Sequence, residues 1–550
     1  MKKHPTFRCP RVLLLLSMAT LLSLLFLLVL LPPSPSAAAG ASLSQPPSQV
    51  RQACRATRFP SSCESTLTKS RDLTPLGLTL ASLSVSSAAL PTASSLVQSI
   101  LAASSSNLNR SNAARNCLEH LSLSDRRLAA ASAALPRGRA ADARAWTSAA
   151  LLYQYDCNNS LSYVSGTRLV ADAMAFLSSL YDLTSNALSL IAARQRFGDD
   201  LSLWSPPQTE RDGYWGDPAA AVGRRSASRI AGLLSDLQTD ATVCRIGDCN
   251  YRTVQDAVAA APDFGAGRFV IRIKTGIYKE TVRIPFEKTN VVLIGDGIGA
   301  TVITGALNVQ MPGVWTYNTA TVGVLGDGFM ARDLTIENTA GAGAHQAVAL
   351  RLDSDHSVLD TVELRGHQDT LYARSLRQLY RRCRISGTVD FVFGNAAAVF
   401  DECLLEVVTR AEGPGKSGSD AVTAQGRTDP AQATGFVFRR CAVNGSEEFL
   451  TAFRRKPKAN RVFLGRPWKE YARVVFIETY LGEVVSPEGW LRWRGEFALD
   501  TLFYGEYGSY GPGANNTSRV KWSSQIPAIH LVVYSVENFI QGNEWIPSDQ

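Results

Sequence analysis

The sequence predicts two unlike folded parts, an all-α helical bundle followed by a parallel β-helix. Three observations lead there. Residues 50–195 are rich in Ala, Leu and Ser and nearly free of β-branched runs, and stretches such as Trp146-Thr-Ser-Ala-Ala-Leu-Leu-Tyr and Ala171-Asp-Ala-Met-Ala-Phe-Leu carry apolar residues at helical spacing. After 241 the texture changes to short β-branched segments punctuated by Gly and Asn, such as Phe269-Val-Ile-Arg-Ile, Val291-Val-Leu-Ile-Gly and Thr301-Val-Ile-Thr-Gly. The later segments then align in one five-residue window: Leu334–Asn338, Val362–Gly366, Cys383–Gly387, Cys403–Val407 and Cys441–Gly445. Successive offsets are 28, 21, 20 and 38 residues. Strand-like recurrence near 20–28 residues indicates one coil per repeat. The long last step predicts a Gly/Ser-rich loop insertion around 410–432.

The 550-residue length suits two to four domains, and 45% hydrophobic with 19% charged residues excludes collagen, wholesale disorder and a small disulfide-stapled peptide. The net charge of +8 is local. Residues 1–240 hold 23 basic and 15 acidic side chains, whereas 241–550 hold 33 of each. A neutral second half argues against a nucleic-acid-binding face.

At the amino terminus, Lys2, Lys3, Arg8 and Arg11 precede the apolar run Val12–Leu31, which Pro32, Pro33 and Pro35 end before Ala37-Ala38-Ala39. Residues 1–39 therefore read as a secretory signal, or as a retained anchor that would make the membrane a partner. Either way the remainder is expected outside the cytosol. Residues 196–240 form a linker whose Gly223-Arg224-Arg225 is a candidate processing site. Sequons stand at Asn109, Asn158, Asn444, Asn515 and Asn516.

Nine cysteines follow the leader: Cys54, Cys63, Cys117, Cys157, Cys244, Cys249, Cys383, Cys403 and Cys441. None shows CxxC spacing and no His clusters with them, which disfavours zinc. Cys383 and Cys403 share one position in successive coils, about 4.8 Å apart, a spacing that suits a disulfide. Cys403 with Cys441 is the other pairing open to that geometry. Cys244 and Cys249 could close a small loop and leave Cys441 free.

The same register predicts the chemistry. Asp369 follows Gly366 by three residues and Asp390 follows Gly387 by three, so the two carboxylates should meet on neighbouring coils. Neighbouring carboxylates split their pKa values, leaving one as acid/base and one ionised as nucleophile. A lone Asp at a coil corner more often caps backbone N–H groups; two in register change that balance. Gln346 and Gln368 are neutral donors for an oxyanion, and Arg466 can hold an ionised Asp. Aromatic residues Tyr372, Phe391, Phe393, Trp468, Trp490 and Trp493 offer stacking faces for sugars. Neither a GxSxG elbow, a phosphate loop nor an EF-hand loop occurs.

These residues resemble the plant pectin methylesterases that carry an N-terminal inhibitor-like domain. The motifs are His345-Gln346-Ala-Val-Ala-Leu, Gly366-His-Gln-Asp-Thr-Leu-Tyr372, Gly387-Thr-Val-Asp-Phe-Val-Phe-Gly-Asn395, Leu464-Gly-Arg-Pro-Trp468 and Tyr504-Gly-Glu-Tyr507. The resemblance implies a four-helix bundle over 50–195, with bridges Cys54–Cys63 and Cys117–Cys157. For 241–550 it implies a right-handed parallel β-helix, with Cys383 paired to Cys403. It implies Asp390 as nucleophile on the methyl ester of a galacturonate unit, and Asp369 as acid, then base. Gln346 and Gln368 would form the oxyanion site and Arg466 would orient Asp390. Trp468, Tyr372, Phe393 and Trp490 would line the sugar groove. The implied substrate is methyl-esterified homogalacturonan in the plant cell wall, with no metal or organic cofactor. The helical domain is implied as an intramolecular inhibitor.

Departures include His367 where the family usually has Tyr, and Cys244-Arg-Ile-Gly-Asp-Cys249 at the β-helix opening. The basic processing site is also imperfect, with Arg224-Arg225 or Arg229 before Leu233-Leu234. Rival readings are a β-helix glycosidase or lyase, for which paired Asp alone would suffice, and an inhibitor-type protein with an inert β-helix.

Overall fold

The computed structural model describes residues 46–215, 237–410 and 418–546. The expected leader over 1–39 and the basic sites at 224–225 and 229 lie outside the described residues.

Two short helices, α1 (Ser48–Cys54) and α2 (Pro60–Leu67), precede four long ones: α3 (Pro75–Ala102), α4 (Leu108–Ala134), α5 (Ala140–Ser162) and α6 (Arg168–Phe197). Their starts carry the chemistry that helix N-termini need. Thr74 accepts from Gly77 N with Pro75 at the first helical position, Asn107 accepts from Arg110 N, and Thr167 accepts from Val170 N. The apolar stripes meet in one core: Leu83, Leu90 and Val97 of α3, Cys117, Leu121 and Leu128 of α4, Ala150 and Leu161 of α5, and Leu177, Ala187 and Ile191 of α6. Cys54 is bonded to Cys63 beside α2, and Cys117 to Cys157 ties α4 to α5.

From Ala241 the chain winds into coils whose strand pairings are all parallel, forming one sheet of seventeen strands and a second of seven among the described residues. Pairing follows the spacing read from sequence: Val362 lies beside Leu334, Glu363 beside Arg384, Arg384 beside Leu404 and Leu404 beside Ala442. Those partners are 28, 21, 20 and 38 residues apart. Inward residues at one coil position stack on each other, so Tyr380, Phe400, Phe438 and Phe476 form a ladder with ring centroids 4.5, 4.5 and 4.6 Å apart.

The structure corrects two expectations. The segment 410–432 is not all loop, because Gly418–Gln425 is a strand of the second sheet, paired on both sides. Its Gly-Ser start hides the buried Ala421–Gln425 run. Within the expected linker, residues 198–215 pack against both parts: Trp204 is buried among the helices, Arg473 pairs with Glu210 at 2.7 Å, and Trp215 stacks on His530. Cys383, Cys403 and Cys441 are buried and unbonded. Parallel coils point their thiols the same way, and each thiol lies against backbone oxygens, as Cys383 does with Leu359 O and Arg381 O. Cys244 and Cys249 are bonded.

Candidate active site

The seven-stranded sheet runs in the order 282–284, 322–324, 350–352, 371–373, 389–394, 418–425, 460–467. Its middle coils carry the candidate residues. Asp369 N donates to Val389 O at 3.1 Å, which sets the Asp369 and Asp390 backbones on adjacent coils. Between Val389 and Val392 the register against the next strand slips by one residue, a bulge that contains Asp390 and re-aims it. His345, Asp369 and Asp390 have φ of 59°, 66° and 54°, in the left-handed region that costs an L-residue on the order of 1 kcal/mol. Coils approach closely here. A Cβ on Gly387 would meet the Phe391 Cβ at 2.3 Å, and one on Gly426 would meet the Trp468 ring at 2.8 Å, so both positions need glycine.

Arg466, two coils beyond Asp390, reaches back and grips it with both arms of its guanidinium. Nε donates to Oδ1 at 2.8 Å and Nη2 to Oδ2 at 2.6 Å. The guanidinium itself rests 4.4 Å from the centre of Trp493. Among the described residues, Asp369 has no such cation in contact. Both carboxyls are buried, at 7% and 5% exposure. Burial pushes Asp369 well above the usual carboxylate range, the neighbouring Asp390 charge adds to that, and Arg466 offsets only part. Burial raises Asp390 as well, but the hydrogen bonds and charge of Arg466 pull against it. Of the two carboxyls, Asp369 is therefore the one that holds its proton to higher pH.

Gln346, Gln368, Asp369, Asp390 and Arg466 line one cavity of about 750 Å³. Tyr372 and Phe393 stack at 4.2 Å, and Trp468 meets both edge-on, giving an aromatic wall. Trp490 is not part of it. That ring is 1% exposed in the β-helix core, stacked on Tyr504 with its Nε1 donating to Glu506. Trp493, three residues on, lines the cavity instead. Aromatic density alone does not tell which face a ring takes.

Sequence reasoning missed the opposite wall, which comes from the helical domain: Asn109, Asn116 and His120 of α4, and Asp156, Asn159 and Ser160 of α5. Polar pairs hold it there. Arg374 binds Asp156 at 2.7 Å and Asp353 at 3.0 Å, and Arg377 binds Asp142 and Asp355, both at 2.7 Å. Arg127 binds Asp327 through two hydrogen bonds. Tyr153 shares a hydrogen bond with Ser375, and Trp146 Nε1 donates to Asp355. No periodicity signals this docking, because each side chain also suits a solvated helix face.

Comparison with known proteins agrees with this geometry. Residues 240–543 match the pectinesterase family, and residues 48–190 match the plant invertase/pectin methylesterase inhibitor family. The chain is 52% identical over 506 residues to probable pectinesterase/pectinesterase inhibitor 64 of Arabidopsis thaliana, covering 90% of this chain and 84% of that one. It is 37% identical over 516 residues to pectinesterase 2 of Citrus sinensis, covering 91% and 94%. Among solved structures, pectin methylesterase from carrot superposes with a TM-score of 0.54 at 42% identity, over 57% of this chain and 96% of the carrot chain. A parallel β-helix with two asymmetric carboxyls in one cleft, under a helical inhibitor-type domain, places the chain in the pectinesterase family, whose members are carboxylic ester hydrolases.

Proposed function

We propose that the protein demethylates homogalacturonan, with Asp390 as nucleophile and Asp369 as general acid and base. The observation that carries this is the asymmetry of the two carboxyls: Asp390 gripped by Arg466, Asp369 free of any cation contact in the same cavity. An Asp390 oxygen attacks the ester carbonyl carbon, and the carbonyl π electrons move onto oxygen. Gln346 and Gln368, whose side-chain amides make no hydrogen bond to other described residues, donate to that oxyanion. Collapse breaks the bond to methoxide, which takes the Asp369 proton and departs as methanol, leaving an acyl anhydride on Asp390. Asp369, now ionised, removes a proton from water, and the resulting hydroxide attacks the acyl carbon. Asp390 leaves as carboxylate, the galacturonate carboxyl is freed, and Asp369 is again protonated. Tyr372, Phe393 and Trp468 serve as the stacking wall for the sugar rings.

The product is an acidic polymer of unchanged length, which separates this reading from glycoside hydrolysis. Methanol release from pectin should be lost by about 10³-fold or more in Asp390→Ala. Retention of wild-type methanol release in that variant, or shortening of the polymer by the wild type, refutes the assignment. We further infer action in the cell wall after secretion, supported by three bonded cysteine pairs, which persist in oxidising compartments. The roof over the cavity supports intramolecular restraint of the enzyme by its helical domain.

A further inference from the structure

The helical domain covers the candidate catalytic groups without hydrogen-bonding to them. No side chain from 46–215 hydrogen-bonds Gln346, Gln368, Asp369, Asp390 or Arg466, and the Arg466–Asp390 grip is intact beneath the roof. The roof's own acid, Asp156, is committed to Arg374, and His120 also lies against Arg374 at 3.0 Å. The space left, about 750 Å³, is in the range of roughly 300–1,000 Å³ that encloses compact ligands. It opens to solvent beside Met311, which lines it and is 40% exposed.

The ends of the groove are different. At the coil before the site, Gly313 N donates to Asn109 Oδ1, Asn112 Nδ2 donates to Gly313 O at 2.8 Å, and the Tyr163 ring lies 5.9 Å from Trp315. At the coil after it, Lys469 Nζ donates to Tyr155 OH at 3.0 Å, beside Trp468. From the 322–324 strand to the 460–467 strand is five steps of about 4.8 Å, a span of about 24 Å. A polymer lying along the coils would have to pass under both closures.

We propose that the docked helical domain acts as a length filter, admitting short methyl-esterified oligogalacturonides to Asp369 and Asp390 while barring the polymer. The proposal rests on the esterase reading and adds that the full chain is an active esterase on small substrates. The filter is released by undocking, so no rearrangement of the catalytic groups is needed.

The test compares methanol release by the full chain from methyl-esterified trigalacturonate and from highly esterified pectin. The wild type should turn over the trimer and be about 10-fold or more slower per ester on the polymer. Arg127→Ser combined with Asp142→Asn removes docking pairs remote from the catalytic groups. It should raise the polymer rate about 10-fold while the trimer rate stays within about twofold. Tyr163→Ala removes an exposed side chain of the first closure, so its folding is secure, and it should lengthen the longest oligomer accepted. Equal wild-type rates on trimer and polymer overturn the filter. So does a wild type inert on the trimer whose undocked variant acts on both substrates, which would be a plug. Absence of methanol from every form overturns the esterase reading and the filter with it.

Discussion

The catalytic face and the docking face lie on the same β-helix, yet they treat charge in opposite ways. On the docking face three buried arginines are paired with carboxylates: Arg374 with Asp156 and Asp353, Arg377 with Asp142 and Asp355, Arg127 with Asp327. On the candidate catalytic face Asp369 and two glutamine amides have no side-chain hydrogen-bond partner among the described residues, beside a single gripped carboxylate. Satisfied polar groups specify how two surfaces fit; unsatisfied ones are held ready for a reacting molecule. Buried charge alone would not have told the two faces apart.

The largest effect that tests this contrast is structural. Trp490→Ala empties the β-helix core and should cost about 3–5 kcal/mol in denaturant unfolding. Trp493→Ala, at the cavity wall, should leave the unfolding midpoint nearly unchanged. Its loss shows instead in kcat/KM, about 2- to 20-fold, because Arg466 loses its ring contact. If the two substitutions gave the same stability loss, the division between core and wall would be wrong.

Removing one oxyanion donor comes next. Gln368→Ala should lower kcat by about 10²–10³ with KM little changed. A change confined to KM would mean that Gln368 holds ground-state substrate only.

Arg466→Ala separates the carboxyls by pH. Without the guanidinium only the charge of Arg410, the smallest contribution, opposes the upward push of burial on Asp390. The acid limb of the rate profile, where Asp390 must ionise, should therefore move to higher pH, alongside a fall in rate. An unshifted acid limb would show that another group sets it.

The smallest effect concerns stability. The Asp369 pKa in the folded protein lies above its unfolded value, so its contribution is most favourable at low pH and is lost as pH rises through the folded pKa. Asp369→Asn, which fixes a neutral side chain, should be inactive yet raise Tm by roughly 1–3 °C at neutral pH, with no gain near pH 3. A lower Tm at neutral pH would mean that the carboxylate stabilises the fold.

The coil register is legible in the amino-acid sequence because each repeat must present the same inward face, so Leu334, Val362, Cys383, Cys403 and Cys441 mark one column. That register also brings Asp369 and Asp390 together before any coordinates are known. Other features depend on forces with no local signature. Strand Gly418–Gln425 starts with residues typical of loops and is held by neighbours on both sides. Trp490 and Trp493 differ by three residues and by which side of the wall they face. The thiol column satisfies disulfide spacing, but the side-chain directions are set by parallel stacking. The helical roof is a matter of surface complementarity between two independently patterned parts, and neither pattern carries it.

The order of the chain adds a consequence in time. Phe197 ends the last roof helix, and Arg466, the last of the five candidate residues, is 269 positions later. At ribosomal speed the bundle leaves the exit tunnel on the order of tens of seconds before the grip on Asp390 can close. The nascent β-helix therefore adds its coils after the whole bundle has emerged. If the helical domain restrains the enzyme as proposed, the cleft is assembled beside a cover that has already left the tunnel.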